Sequence, residues 1–373
     1  MATNLSRIFF WFSLSIFFSC SQLYYGPWDQ PLFNENIQPN SLGKAVKLWE
    51  DGVRIPGDEF SVEWWYVDAK LDDNSIVVVY FYKVENISNQ YFIGFNYTSP
   101  EGKDIFKLKR FKKDQISFAK DSCHVRFDDN YIKGNLKNYS IYLNPEDFDG
   151  FGLDIKLSST IDPYRPQDGI LKAGEDYFAW LAAVPNGNVS GAYILNYQDR
   201  KRASGSGYHD HNWGNTFLWR LFSGWTWFRG EAGPYTIIGA ELNVVNNRGG
   251  FDVPILYISS KNREMVNEFG NKTLLTMKSD LIENLYNKKN EPQFSTFTIG
   301  TLEDVNVKIS KIKLLENINI FERAGLASIP MKLSFLPFGI DPYYTRFSSE
   351  FTLSLNDGTV HKGTGVMEIM DLH

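Results

Sequence analysis

The chain has 373 residues, which corresponds to about two domains or to one large β structure. Hydrophobic residues make up 43% and charged residues 22%, a globular rather than a disordered composition. The net charge of −6 argues against a nucleic-acid binder, and two cysteines exclude a disulfide scaffold and a cysteine-built zinc site.

Residues 1–19 have the pattern of a signal peptide. Arg7 precedes an apolar run, Ile8–Phe18, that is too short to span a bilayer comfortably. Ser19 and Cys20 at the end of this run resemble a bacterial lipobox, in which the cysteine becomes lipidated. We therefore expect a cleaved lipoprotein signal peptide with the lipid on Cys20. An ordinary signal peptide with an incidental cysteine is the alternative.

The lipobox also predicts where the mature protein is held, namely in the cell envelope of a bacterium through a lipid anchor. With Cys20 acylated, Cys123 remains as a lone thiol, whereas a Cys20–Cys123 disulfide is the competing arrangement. Ser21 and Gln22 lack the Asp that retains some lipoproteins at the inner membrane, which favours the outer membrane.

Residues 20–56 are rich in Pro, Asn, Gln and Gly and are predicted to form a tether and an irregular lead-in. An aromatic content of 16% and 29 glycines favour β-sheet in the remainder. Alternation and apolar runs predict strands at 76–82, 91–97, 139–143, 151–157, 189–195, 237–245, 294–299, 305–314, 331–335, 347–355 and 360–369. The range 263–287 is the best candidate for a helix.

Many short strands separated by turn residues favour barrels or sandwiches over βαβ units. The predicted fold class is therefore all-β, with two antiparallel β-barrel domains packed together and few short helices. We place the N-terminal domain at 57–220 and the C-terminal domain at 221–373, with the boundary inside 215–230.

One segment, 205–214, places Tyr, two His, Asp, Asn and Trp between glycines. Because alternate residues of a strand share a face, Tyr208, Asp210 and Asn212 lie on one face and His209, His211 and Trp213 on the other. The first face is interpreted as a proton-handling site, in which aromatic surroundings raise the pKa of Asp210. A polar network that seals the junction between two barrels is the structural alternative.

His209 and His211 indicate a metal site only if a third ligand lies near, and His124 and His361 are the candidates. We predict no metal and no cofactor. The chain has no Gly-x-Ser-x-Gly nucleophile turn, no phosphate loop and no His-Glu-x-x-His motif.

Aromatic residues surround these motifs. Trp225, Trp227 and Arg229 share one strand face, which suits an isoprenoid or a developing carbocation, with core packing as the alternative. Glu63 stands beside Trp64 and Trp65, where a carboxylate needs a partner or a raised pKa. It is either a second acid–base group or the partner of an arginine.

The segments Glu63-Trp64-Trp65-Tyr66 and Gly207–Gly214 resemble the hydroxyneurosporene synthase (carotenoid 1,2-hydratase) and AttH-like family. The stretch 180–185, Trp225-x-Trp227 and Gly363-x-Gly365-x-x-Glu368 are similar to that family too, so that the resemblance covers residues 58–370.

The resemblance implies two lipocalin-like barrels with a ligand cavity. Family members hydrate a terminal isoprenoid double bond without a cofactor, and related fungal proteins cyclise polyketide-derived substrates. The residues implicated in the hydratases match Tyr208 and Asp210 here, while the family's His, two residues before Trp180, is Phe178.

We therefore expect a cofactor-free hydratase or cyclase/isomerase that protonates an alkene of a hydrophobic, isoprenoid-like substrate, with Asp210 and Tyr208 as catalytic residues. The alternative is a non-catalytic, lipid-anchored carrier of a lipid or another apolar ligand. The candidate substrate-binding residues are Trp180, His209, His211, Asn212, Trp213, Trp225, Trp227, Glu63 and Trp65.

Overall fold

The structure, a computed structural model, describes residues 42, 45–55, 60–85, 89–166, 169–173, 176–261, 263–283, 292–301, 304–323 and 339–373. The predicted signal peptide, Cys20, most of the tether and the strand at 331–335 lie outside these residues. In the described part, the other predicted strands are all confirmed, with bounds that differ by a few residues or extend further.

The N-terminal half forms a twelve-stranded antiparallel sheet. Its strands are β1 (Ser61–Leu71), β2 (Ile76–Glu85), β3 (Gln90–Thr98), β4 (Asp104–Phe111), β5 (Ile116–Phe118), β6 (His124–Phe127), β7 (Asn130–Gly134), β8 (Asn138–Leu143), β9 (Gly152–Ser159), β10 (Ile170–Ala173), β11 (Asp176–Leu195) and β12 (Asp199–Gly214). Their order is β4-β3-β2-β1-β12-β11-β9-β8-β7-β6-β5, with β10 paired to β11. The last strand of this sheet in chain order, β12, therefore lies beside the first strand, β1.

The C-terminal half forms a nine-stranded antiparallel sheet with the order β16-β15-β14-β13-β21-β20-β19-β18-β17. Its strands are β13 (Phe222–Ala232), β14 (Tyr235–Val244), β15 (Asp252–Ser260), β16 (Arg263–Phe269), β17 (Leu274–Glu283), β18 (Pro292–Thr301), β19 (Val305–Asn319), β20 (Tyr343–Leu355) and β21 (Val360–Asp371). Both sheets are barrel-like, and the first is the more nearly closed of the two.

Helices are few and short among the described residues. The 3-10 helices are Leu48–Asp51, Lys113–Gln115, Pro145–Phe148, Leu218–Arg220 and Asn246–Arg248, and the α-helix is Ile320–Arg323. None of the helices in the described ranges is long and apolar enough to cross a membrane.

The helix predicted at 263–287 is wrong, because its described part is the pair of strands β16 and β17. Gly270, at φ 87°, begins the turn between them. Each strand pairs with a different neighbour, β15 and β18 respectively. Sheet pairing therefore outweighs a local apolar spacing that fitted a helix only moderately.

The end of the predicted tether and lead-in lies within the described residues. Residues 45–55 pack into the first barrel, where Val53 and Ile55 belong to the hydrophobic core. The helix Leu48–Asp51 brings the fully buried carboxylates of Glu50 and Asp51 with it. Glu50 and Asp51 thus supply carboxylates to the buried side chains of Arg165 and His209.

Three hydrophobic clusters hold the molecule together. One fills the first barrel and one fills the second. The third, which we call the junction, combines side chains of both sheets, for example Trp180 and Tyr208 from the first with Trp227 and Ile238 from the second. The two sheets therefore pack against each other through an aromatic-rich layer.

Candidate functional site

The 205–214 motif lies in β12, and the pairing of β12 with β1 decides which residues share a face. Asp210 is directly opposite Tyr66, and His211 is directly opposite Trp65. Opposed residues of an antiparallel pair project to the same side. One face therefore looks into the junction, and the other looks into the first barrel.

Asp210 is the centre of a hydrogen-bond cluster on the junction face. Its Oδ2 accepts from the hydroxyl of Tyr208 at 2.9 Å and from Nε1 of Trp180 at 3.2 Å. Its Oδ1 accepts from Nδ2 of Asn212 at 2.7 Å. The structure thus brings together four residues that the sequence analysis proposed for one site.

Burial raises the pKa of Asp210 to about 7, although the hydrogen bond from Tyr208 and the charge of His209 act in the opposite direction. The residue is 7% exposed, so it is almost fully removed from water. At neutral pH a large fraction of Asp210 therefore carries a proton, which is the state a general acid requires.

Aromatic rings form the wall around this carboxyl. The Trp227 ring lies 5.4 Å from the Tyr208 ring and 6.4 Å from the Tyr66 ring, centroid to centroid. Trp64 and Trp225 are half-buried beside the junction. The wall combines a large apolar area with negative ring faces, which favour a positively charged centre.

Charged residues connect the two sheets at the rim of the aromatic wall. Arg229 of β13 forms a bidentate ion pair with the buried Asp68 of β1, whose carboxylate also accepts from the Tyr66 hydroxyl at 3.1 Å. In β20 and β21, Arg346 Nε lies 3.6 Å from Glu368 Oε1. The junction therefore contains a third buried carboxyl, Glu368, besides Asp210 and Asp68.

The opposite face of β12 holds an ion-pair network inside the first barrel. His209 faces the Tyr66 carbonyl with Nδ1 at 2.8 Å and Asp51 Oδ2 with Nε2 at 3.2 Å. His211 faces the Glu50 carbonyl with Nδ1 at 3.0 Å and Glu63 Oε1 with Nε2 at 3.0 Å. Because a carbonyl can only accept, Nδ1 donates in both residues and Nε2 points at a carboxylate.

This placement separates five of the predicted substrate-binding residues from Asp210. His209, His211, Glu63 and Trp65 are fully buried in the first barrel, on the opposite face from Asp210, and so is Trp213 at 3% exposure. The Trp65 ring stacks on the His211 imidazole at 4.5 Å. These five side chains therefore do not line the same space as Asp210, because strand alternation directs them away from it.

Glu63 has a lysine as its cationic partner, rather than the arginine considered from the sequence. The Lys83 ammonium lies 3.2 Å from Glu63 Oε2 and 3.2 Å from Glu85 Oε2, and donates to the Ile55 carbonyl at 2.7 Å. Arg54 contributes its backbone N–H, which donates to Glu63 Oε1 at 2.6 Å. The carboxylate is therefore paired on both oxygens.

A group with metal-ligating atoms lies in the same network. Asp51, Cys123 and His209 offer atoms that lie within 4.8 Å of one another, and all three are buried. Asp51 Oδ2 already accepts from the Tyr139 hydroxyl at 2.5 Å and contacts the imidazole. Each of the three side chains thus already has a partner within the protein, and the Cys123 thiol contacts the Ile132 carbonyl at 3.9 Å. His124 and His361 are not part of the group.

This buried network predicts a dependence of stability on pH. Burial alone would raise the pKa of Asp51 and Glu63. His209 and His211 hold the pKa of Asp51 below its ordinary value of 3.8, and His211 and Lys83 hold the pKa of Glu63 below 4.5. Such carboxylates stabilise the fold fully above the pKa of the unfolded chain and lose this effect as the pH falls through the folded value.

We expect the free energy of unfolding to fall steeply below about pH 4 and Asp51→Asn to make that decline shallower. Urea unfolding at a series of pH values measures both slopes. An unchanged slope in Asp51→Asn would show that this carboxylate does not titrate with folding.

Comparison with known proteins gives a distant relative and a clear fold. No model of a protein family matches the chain. Over 231 residues the chain is 27% identical to hydroxyneurosporene dehydrogenase of Chlorobaculum tepidum, which covers 52% of this chain and 58% of that protein. The chain thus spans less than two thirds of the length of this curated relative.

Solved structures cover almost all of the chain. An AttH protein of Nitrosomonas europaea superposes with a TM-score of 0.62 at 14% identity, over 90% of this chain and 100% of that one. CghA gives a TM-score of 0.61 at 12% identity, over 88% and 96%. The chain has the AttH-like fold. Kievitone hydratase from Nectria haematococca shares it, with a TM-score of 0.52 at 15% identity, over 93% and 98%.

The resemblance stated from the sequence and the all-β fold class are thereby confirmed. Within the AttH-like fold, several polar residues near Asp210 were not predicted from the sequence. Tyr66 and Asp68 follow from the same two-residue alternation that starts at Trp64, so the signal was present in β1. Arg346 has no comparable signal, because only the pairing of β20 with β21 places it opposite Glu368.

Proposed function

We propose that the chain is a hydratase or a cyclase/isomerase that protonates an alkene of a hydrophobic, isoprenoid-like substrate. The observation that carries this proposal is the buried carboxyl of Asp210, whose pKa burial raises, inside an aromatic layer between the two sheets. Protonation of an alkene requires a strong, water-shielded acid and an apolar site that tolerates a cation. The catalytic group is part of the chain, so the proposed reaction needs no cofactor.

The hydrogen bonds around Asp210 support a role as proton donor. Two donors, Tyr208 and Trp180, occupy Oδ2, and one donor, Asn212, reaches Oδ1. The proton is therefore carried by Oδ1, which has more free acceptor capacity. After transfer, all three donors stabilise the carboxylate that remains, so the site favours the charge that develops during the reaction.

The comparisons support the class of substrate and reaction. The distant relative is a hydroxyneurosporene dehydrogenase, and one protein with the same fold is a hydratase. CghA, with the same fold, was crystallised with the small molecule Sch210972. The half-buried Trp64 and Trp225 offer an apolar surface for a substrate of this kind.

One observation favours binding without catalysis. Phe178 stands where the family places a histidine, and its ring lies 6.0 Å from Trp64 and 6.0 Å from Phe222. This part of the wall is apolar and cannot take up a proton. A carrier of a lipid or another hydrophobic ligand is therefore the second candidate function.

Native mass spectrometry of the mature protein from its own host, followed by organic extraction, separates the two functions. A bound isoprenoid that is converted on incubation, to a product heavier by one water or to an isomer, supports the enzyme. A ligand that is retained unchanged through repeated incubation supports the carrier. An empty protein that converts no isoprenoid contradicts both.

Anchoring in the envelope through Cys20 stays a prediction, because Cys20 lies outside the described residues. In the native host, Cys20→Ser is expected to abolish labelling with radioactive palmitate and to release the protein from the membrane fraction. Cys123→Ser is the control, because the Cys123 thiol is buried and should leave labelling unchanged. Labelled Cys20→Ser protein would contradict the prediction.

A further inference from the structure

Hydration requires a base as well as an acid, because the attacking water must lose a proton. The apolar ring of Phe178 occupies the position of the family's histidine, so the base has to be another residue. The described part of the junction offers a second buried carboxyl with a raised pKa, Glu368, on the opposite sheet from Asp210.

Strand register places Glu368 on the junction face of the second sheet. It lies directly opposite Trp227 on β13 and directly opposite Arg346 on β20. The Trp227 ring is 5.4 Å from the Tyr208 ring, and the Tyr208 hydroxyl donates to Asp210. A short chain of contacts thus connects the two carboxyls across the junction.

Three polar atoms at these register positions have no hydrogen-bond partner among the described residues. They are Glu368 Oε1, Trp227 Nε1 and Arg346 Nε, and all three are buried. Buried polar atoms are ordinarily satisfied, by protein, by water or by a ligand. One acceptor and two N–H donors suit a water molecule or a hydroxyl group, each of which both donates and accepts.

We propose that Glu368 is the base of the proposed reaction and activates the water that attacks the cation formed when Asp210 protonates the alkene. This inference rests on the proposed function. The Asp210 proton forms a C–H bond as the π bond breaks, the water oxygen forms a C–O bond to the cation, and Glu368 takes the proton that the water releases. Alkene and water thus give an alcohol, and proton exchange with solvent restores both carboxyls.

The electrostatics of the junction agree with one acid and one base. Burial raises the pKa of Glu368, opposed mainly by Arg346, and the negative charge of Glu368 raises the pKa of Asp210. Two nearby carboxyls in a dry site favour a state in which one is protonated and the other ionised. The charged and titratable groups that face them in the junction are Tyr66, Tyr208, Arg229, Tyr344 and Arg346, and the charge of His209 acts on Asp210 from the opposite face of β12.

The test uses squalene, an isoprenoid with terminal trisubstituted alkenes, in detergent micelles and D2O. Deuterium uptake into recovered squalene reports protonation, and alcohol formation reports water addition. Glu368→Gln is expected to keep deuterium uptake and to lower alcohol formation by about 10²–10⁴-fold. Glu368→Asp should recover part of this rate, and Glu350→Gln, on an exposed residue of β20, should match the wild type.

The wild-type rate is also expected to fall at low pH, where Glu368 is protonated, and Glu368→Gln should lack this limb. Alcohol formation by Glu368→Gln at the wild-type rate would overturn the inference. The inference would also be overturned if Glu368→Gln lost deuterium uptake and alcohol formation equally and its rate still fell at low pH. Asp210→Asn that still takes up deuterium would instead overturn the proposed function.

If the wild type does not react with squalene, that result counts against the proposed function. The inference about Glu368 can then still be tested by a measurement that needs no substrate. The infrared band of protonated carboxyls, followed against pH, reports Asp210 and Glu368 directly. Asp210→Asn should lower the pH at which Glu368 titrates, because a neighbouring negative charge is removed. An unchanged titration would show that the two carboxyls do not share a site and would overturn the inference.

Discussion

Asp210→Asn is expected to lower kcat by about 10²–10⁴-fold and to leave the affinity for the hydrophobic ligand within a few fold. The amide has nearly the same shape as the carboxyl, so the aromatic wall stays in place. It carries no proton acidic enough to transfer to an alkene. Steady-state kinetics give kcat, and fluorescence titration of the junction tryptophans gives the affinity.

The matched control is Asp199→Asn, which changes an exposed carboxylate in the same strand, β12. This variant should keep both kcat and affinity. Full activity in Asp210→Asn would show that the carboxyl is structural. A proportional loss of binding and turnover would show that the substitution has changed the shape of the site and not its acidity.

The pH profile gives an independent measure of the same carboxyl. Because the pKa of Asp210 is about 7, the protonated form is lost as the pH rises through that value. The wild-type rate should therefore fall above about pH 7. Any residual activity of Asp210→Asn should not fall above pH 7. The same fall in the variant would show that another group causes it.

The same raised pKa has a consequence for stability. The folded chain holds the Asp210 proton up to about pH 7, whereas an unfolded aspartate loses it near 3.8. The protonated carboxyl therefore contributes to the free energy of unfolding below the pKa of the unfolded chain. This contribution is lost as the pH rises through the pKa of the folded chain. Between pH 4 and pH 8 the wild type should therefore lose more stability than Asp210→Asn. Urea unfolding at the two pH values measures the difference.

Lys83→Met is expected to lower the free energy of unfolding by about 3–5 kcal/mol. The Lys83 side chain is 2% exposed, and its ammonium compensates two carboxylates in the interior of the first barrel, Glu63 and Glu85. Removal of the cation leaves Glu63, which is 0% exposed, without one of its charged partners. Urea unfolding at pH 7 measures the loss.

Two further variants make this expectation specific. Lys83→Met combined with Glu63→Gln should recover part of the stability, because the uncompensated charge is gone. Lys107→Met removes an exposed ion pair with Asp149, whose side chain is 79% exposed, and should cost less than about 1 kcal/mol. Similar losses for Lys83→Met and Lys107→Met would mean that the buried network contributes little.

Much of the fold was predictable from local pattern. Two-residue alternation predicts the strands, and in β12 it also separates the acid from the histidines. The same rule failed at 263–287, where the apolar spacing fits a helix locally. There, the long-range pairing of β16 with β15 and of β17 with β18 decides the conformation. A single sequence does not contain that pairing.

The candidate site likewise has a part that the sequence predicts and a part that it does not. Asp210, Tyr208 and Asn212 lie within one strand, so their common face follows from spacing. Their partners come from far along the chain. Asp51 reaches His209 across 158 residues, and Asp68 reaches Arg229 across 161 residues. Without the order of the strands, neither partner could be chosen among the many acidic residues of the chain.

The two-faced strand β12 restricts how the length of this chain can vary over evolution. Deletion of one residue between Tyr208 and Trp213 would turn every later side chain to the opposite side. Imidazoles would then meet the aromatic layer, and amide and carboxyl groups would meet the carboxylates of the barrel interior. We therefore expect related chains to gain and lose residues in their turns and to keep a constant count here.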